Sequence, residues 1–201
     1  RQQPAAAEKE PSEDLLRLAA RQFTAAFDNR YGGFGRAPKF PSPHQLLFLL
    51  RYGEQTADDK LRHMALFTLE AMYRGGIFDH LGGGFSRYST DDQWLIPHFE
   101  KMLYDNALLA EANLEAWRQT QNPLFRRIAE RTLDYILREL THDAGGFYCG
   151  QDADSEGEEG KFYAFSQEEI YRELGADAER FCRWFGVSEA GNFEGRNVLH
   201  L

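Results

Sequence analysis

Four times along this chain the same short core returns. Gly-Gly-Phe begins at Gly32, Gly83 and Gly145, and Gly-Asn-Phe at Gly191, at steps of 51, 62 and 46 residues. A period of this order marks one supersecondary unit repeated and stacked, because a single unit cannot bury its own apolar face. With 23 Leu and 22 Ala against 2 Val and 5 Ile, helix formers far outnumber β-branched apolar residues, which rules against a sheet-dominated fold. The expected unit is a helical hairpin followed by one decorated loop.

Start and stop signals place seven helices. Ser12 caps the first, which runs to about Asp28 with Leu16, Ala19, Ala20, Phe23 and Phe27 on one face. The second opens at Ser42-Pro43, and the third at Thr56, where Asp59 completes a capping box, ending at Gly75-Gly76. The fourth runs from Pro97 to about Gln121 and the fifth from Asn122-Pro123 to about Thr141. The sixth starts at Ser166-x-x-Glu169, and the seventh covers about Asp177 to Phe185. Short links within the pairs 2–3, 4–5 and 6–7 force antiparallel neighbours, so the long loops 27–41, 78–97, 142–165 and 188–197 gather on one face. The Gly-Gly-Phe residues themselves read as a shared helix-to-loop turn, with Gly at positive φ and Phe in the core.

Charge and motifs narrow the partners. The chain carries 23 Lys+Arg and 32 Asp+Glu, a formal net charge of −9, which disfavours nucleic acid and anionic membranes. No stretch approaches the roughly 18 apolar residues of a spanning helix, and the opening RQQPAAAEKEPSE lacks a signal pattern, so a cytoplasmic location is expected. Cys149 and Cys182 form no CxxC and are expected to be reduced. A nucleophile elbow, a Walker loop, GxGxxG and HExxH are all missing from the sequence, and neither a cofactor nor a metal is expected.

The chemistry-bearing residues cluster in the loops. On a helix starting at Pro97, about 100° per residue puts His98, Lys101 and Asp105 on one face at the loop-bearing mouth. A plainer account makes Lys101–Asp105 an i,i+4 ion pair. Residues 151–160 hold five carboxylates, among them Asp152, Asp154 and Glu156, in what reads as a β-hairpin tip between aromatic segments. The first three fit positions 1, 3 and 5 of a calcium loop, but position 12 is Tyr163 where a Glu is required. The stretch is therefore a solvated turn, or it aims carboxylates into the mouth, where crowding raises one pKa for acid–base work. The second loop adds His80, Arg87, Tyr88 and Trp94, and the first adds Arg36 and Lys39. Aromatic faces, Arg and carboxylates around a concavity grip a polyhydroxylated or anionic small molecule.

Three segments carry a resemblance: GGFGRAPKFP (32–41), FDHLGGGFSRYSTDDQWLIPHFEKMLYDNALL (78–109) and QDADSEGEEGKFYAF (151–165). They resemble the thioredoxin-domain-containing family of spermatogenesis-associated protein 20. In that family a thioredoxin-like domain precedes an (α/α)6 toroid similar to N-acylglucosamine 2-epimerases, cellobiose epimerases and six-hairpin glycosidases. The resemblance implies an all-α, incomplete (α/α)6 toroid over residues 12–201, preceded by a linker at 1–11 that follows a thioredoxin-like domain. That domain is then a partner within the same protein.

By the same analogy the expected activity is carbohydrate processing on a sugar-like small molecule. An epimerase or isomerase would use His98 or His80 as base, with Arg87 or Arg36 polarising oxygen, and the remaining grip from Lys39, Tyr88, Trp94, Lys101 and Glu156. A glycosidase would pair Asp105 with Asp152 or Asp154. The alternatives are a non-catalytic scaffold that binds a sugar or a protein, and a zinc toroid like the lanthionine cyclases. The zinc reading is weakened because no Cys-His-Gly follows Cys149.

Overall fold

The computed structural model describes residues 12–201; the expected linker at 1–11 lies outside the described residues. Seven α-helices are described: α1 (Glu13–Ala26), α2 (Pro43–Thr56), α3 (Asp59–Arg74), α4 (Leu103–Thr120), α5 (Pro123–Glu139), α6 (Gln167–Leu174) and α7 (Ala178–Trp184). Their ends follow local chemistry. The Asn122 side chain accepts from Leu124 N ahead of Pro123, and Ser166 with Glu169 forms the reciprocal capping box. No helix among the described residues is long and apolar enough to cross a membrane.

Three helical hairpins, α2/α3, α4/α5 and α6/α7, are each closed by a short link, and α2 packs along α4. The main core joins α2, α3 and α4 through Leu46, Leu50, Leu69, Met72, Leu109 and Ala112, with Phe78, Phe85 and Trp94 from the second loop. The α6/α7 pair has its own small core of Ile170, Ala178 and Cys182. It meets the rest where Phe185 leans on His80 and where Leu201 N donates to Arg74 O. Strand β3 (Lys101–Met102) pairs with β4 (Gly150–Gln151), and β7 (Ala164–Phe165) with β8 (Asn197–Val198). Two further pairs stiffen loops: β1 (Tyr88–Ser89) with β2 (Pro97–His98), and β5 (Asp154–Ser155) with β6 (Glu158–Glu159).

Two helix boundaries differ from the sequence reading. Thr56 ends α2, and Asp58 is the residue that caps α3, accepting from Lys60 N and Leu61 N. More consequentially, α4 starts at Leu103, because residues 97–102 run extended and spend their backbone groups on β1 and β4. His98, Lys101 and Asp105 therefore do not share a helix face. Burial alternates strictly instead: Pro97, Phe99 and Lys101 point inward, while His98, Glu100 and Met102 are half-exposed.

The recurrent loops have a common construction. An antiparallel bridge closes Phe27 on Phe34, Phe78 on Phe85 and Thr141 on Phe147. In the first two, the Asp after the leading Phe organises the turn. Asp28 Oδ1 accepts from the backbone N–H of Arg30 and Tyr31, and Asp79 Oδ1 from that of Leu81 and Gly82. The other carboxylate oxygen holds a buried ammonium: Lys39 Nζ lies 2.5 Å from Asp28 Oδ2, and Lys101 Nζ lies 2.8 Å from Asp79 Oδ2. Each lysine also donates to a glycine carbonyl, Gly32 O at 3.0 Å and Gly83 O at 2.9 Å. The third loop has His142 in place of the Asp; it keeps the bridge and a side-chain turn bond, Nδ1 accepting from Ala144 N, but holds no lysine among the described residues.

Gly84 sits at φ +79, and a Cβ there would stand 2.5 Å from Tyr135 Cδ1, whereas Gly145 at φ +93 faces open space. Gly84→Ala is expected to cost about 2 kcal/mol or more, from strain plus overpacking, and Gly145→Ala about 1 kcal/mol from strain alone. Chemical denaturation of the two variants measures the difference.

Candidate functional site

The outward face of the 97–102 strand carries a half-exposed polar cluster where the mouth is expected. His98 Nδ1 lies 2.7 Å from Glu159 Oε1 on the acidic hairpin. A carboxylate accepts, so in the neutral ring Nδ1 carries the hydrogen and Nε2 the lone pair. The imidazole stacks on Tyr88, with ring centroids 5.0 Å apart, and Tyr88 in turn leans on Phe40. His98 Nε2 is 3.9 Å from Glu100 Oε2, and the same oxygen accepts from Arg87 Nη1 at 2.7 Å.

Asp105 completes the group from the first turn of α4, only 8% exposed. Burial pushes its carboxyl up to about 6; Arg87 pulls it down, Glu100 pushes it up, and no hydrogen bond from a described residue supports its charge. The mouth thus joins an oriented imidazole, a guanidinium and a carboxyl that exchanges its proton near neutrality. Such a set removes, returns and stabilises charge during proton transfer on a carbon acid.

The other expected site residues divide by environment. Arg87 and Tyr88 belong to the mouth, and Arg36 stands exposed in the first loop. Asp152 and Asp154 are exposed on the hairpin, with Asp152 Oδ1 accepting from Asp154 N, and Glu156 at its tip pairs with Lys161 at 2.5 Å. Lys39, expected to grip substrate, is fully enclosed, and all three of its hydrogens are spent, on Asp28, Gly32 O and Asp92 O. Trp94 is corrected likewise: its indole is fully buried and its Nε1 donates to Tyr31 O.

His80 packs among Tyr73, Phe78 and Phe185 with Nε2 on Gly75 O. Burial drives its pKa down to about 4, so it is neutral at pH 7. Lys101 faces away from the mouth, into a cavity of about 680 Å³ that His80 also lines. Burial opposes the charge on Asp79, yet Lys101 outweighs it and holds that carboxyl below its usual range. Among the described residues, no group of three or more His, Cys, Asp and Glu is placed to hold a metal ion.

Glu100 and Glu159 were missed by sequence reasoning. The alternation of apolar Pro97 and Phe99 with polar His98 and Glu100 was the available sign for Glu100. Glu159 is reached only through the hairpin register that sets it opposite Asp154.

Comparison with known proteins now bears on this arrangement. No family model matches the chain. It is 40% identical over 208 residues to human spermatogenesis-associated protein 20, a match covering 89% of this chain and 26% of that protein. The chain thus spans about a quarter of the length of the curated relative it matches, and the resemblance read from its loops is one of homology. Among solved structures, a sugar epimerase from a ruminal bacterium superimposes with a TM-score of 0.60 at 17% identity, over 83% of this chain and 52% of that one. A GH76 alpha-mannanase from Bacteroides thetaiotaomicron gives 0.58 at 13% identity, over 86% and 55%. At these identities the likeness is one of fold: the helical hairpins are those of an (α/α)6 toroid, present for about half its circuit.

Because the folded-state pKa of Asp105 lies above the unfolded value of 3.8, the folded chain holds this proton more tightly. The stability it contributes is present below pH 3.8 and lost as pH rises through about 6. Asp105→Asn is therefore expected to stabilise the chain at pH 7–8 by up to about 3 kcal/mol relative to wild type. The advantage shrinks toward zero near pH 4, as thermal melts across that range would show.

Proposed function

We propose that the mouth performs proton transfer on a sugar, in the manner of an epimerase or isomerase. The observation that carries this is the His98–Glu159 contact at 2.7 Å, which leaves Nε2 free as a base on a solvent-facing ring. His98 Nε2 takes the proton from the carbon beside an open-chain carbonyl. Arg87 stabilises the oxygen on which charge develops, and the enclosed Asp105 supplies a proton to the intermediate. Support comes from a fold shared with a sugar epimerase. The same fold serves a mannanase, but the hydrolytic partners Asp105 would need, Asp152 and Asp154, stand exposed while Asp105 alone is enclosed. The proposal includes a cytoplasmic location and a thioredoxin-like domain as partner in the whole protein.

Incubating full-length protein with cellobiose, glucose or mannose in D2O tests this directly. Deuterium at carbon 2 is expected, and His98→Gln is expected to lower kcat/KM about 10²- to 10⁴-fold. Release of reducing ends from mannan without exchange would instead indicate hydrolysis. Sugar binding with neither reaction would leave the mouth a recognition surface.

A further inference from the structure

The two lysine clasps are copies of one device, and they differ at one hydrogen. Lys39 gives its third N–H to Asp92 O at 2.8 Å. Lys101, at 1% exposure, donates to Asp79 Oδ2 and Gly83 O and to no third oxygen or nitrogen among the described residues. Its ammonium instead stands at the cavity wall between the rings of Tyr135 and Tyr163, 4.5 and 4.8 Å from their centroids. A buried ammonium with one uncommitted hydrogen favours an acceptor oxygen brought to it.

The lining says what kind of oxygen. Every charged side chain on it is already paired: Lys101 with Asp79, Arg138 with Glu139, Arg196 with Glu169, and Lys161 with Glu156. No charge remains to offset an ionic ligand, whose desolvation would go uncompensated. Hydrogen-bonding capacity remains, however. The Tyr163 hydroxyl has no partner among the described residues, and Tyr135 OH donates to Gln151 Oε1, an amide whose NH2 stays available. Flat surface is also present, since Tyr163 stacks on Phe99 at 5.6 Å with Phe162 beside it. A volume of about 680 Å³ falls inside the usual range for small-molecule sites.

We infer that this cavity, behind the strand that carries His98, is a second binding site for a neutral polyhydroxylated ring, with Lys101 Nζ and the Tyr163 hydroxyl holding its oxygens. The inference rests on the cavity's own lining and stands whatever reaction the mouth performs. Ligand occupancy there would press on Phe99 and Lys101, the inward half of the strand whose outward half is the mouth.

The test uses full-length protein and methyl β-D-glucopyranoside, a neutral ring that cannot open to a carbonyl, with glucuronate as the anionic comparison. Saturation-transfer NMR titration is expected to show binding of the glucoside and at least tenfold weaker binding of glucuronate. Tyr163→Phe removes one hydroxyl and no packing; it should weaken the glucoside about fivefold at unchanged Tm, the worth of one hydrogen bond. Asp105→Asn should leave that binding as in wild type. No glucoside binding, or equal affinity in Tyr163→Phe, overturns the inference. Loss in Asp105→Asn with retention in Tyr163→Phe also overturns it, by placing the sugar in the mouth and leaving the proton-transfer reading intact.

Discussion

A lysine ammonium taken out of water needs acceptors on nearly every side, and twice in this chain a glycine-rich loop is folded to supply them. Asp28 with Gly32, and Asp79 with Gly83, wrap the buried ends of Lys39 and Lys101. Removing one partner from such a pair strands a buried charge, at a cost of about 3–5 kcal/mol. The loops anchor Phe78, Phe85 and Trp94 in the main core, and the clasp fixes the glycine-rich path around those anchors. It also fixes where each lysine's own segment leaves the loop. For Lys101 that segment is the extended run into α4, and the position of the mouth follows from it.

Much of the fold was legible because its signals are local. Ser166 and Glu169, or Asn122 before Pro123, announce helix starts through bonds spanning three residues or fewer. The returning Gly-Gly-Phe core likewise announced hairpins joined by like loops. What escaped was decided at long range. Residues 97–102 carry helix-compatible side chains, but β1 and β4, the latter some fifty positions along the chain, claim their backbone. Lys39 reads as a surface residue until Asp28 and Asp92 O are brought to it. Nothing within a few residues of Trp94 foretells that its indole will seat beneath Gly33 and Tyr31.

The site shows the same division. Loop composition identified His98, Arg87 and Asp105 as chemistry-bearing, yet the reason for grouping His98 with Asp105, a common helix face, does not hold. They are connected because an extended strand ends where α4 begins, with the Arg87–Glu100 pair near both. Glu159 enters from a hairpin whose tip, Glu156-Gly157, takes positive φ at both positions, the geometry that suits tightly twisted strands. The acidic stretch thereby contributes one carboxylate to the mouth through Glu159, while Asp152 and Asp154 stay with solvent.

The alternation along residues 97–102 ties reading frame to chemistry more tightly than a helix would. A helix that loses one residue rotates its side chains by about 100° and keeps part of its face. A strand that loses one residue turns every later side chain over. A deletion at Pro97 or His98 would send Phe99 and Lys101 toward solvent and fold Glu100 into the cavity, exchanging mouth for wall. This short run is therefore intolerant of length change, although single substitutions on either of its faces disturb only that face.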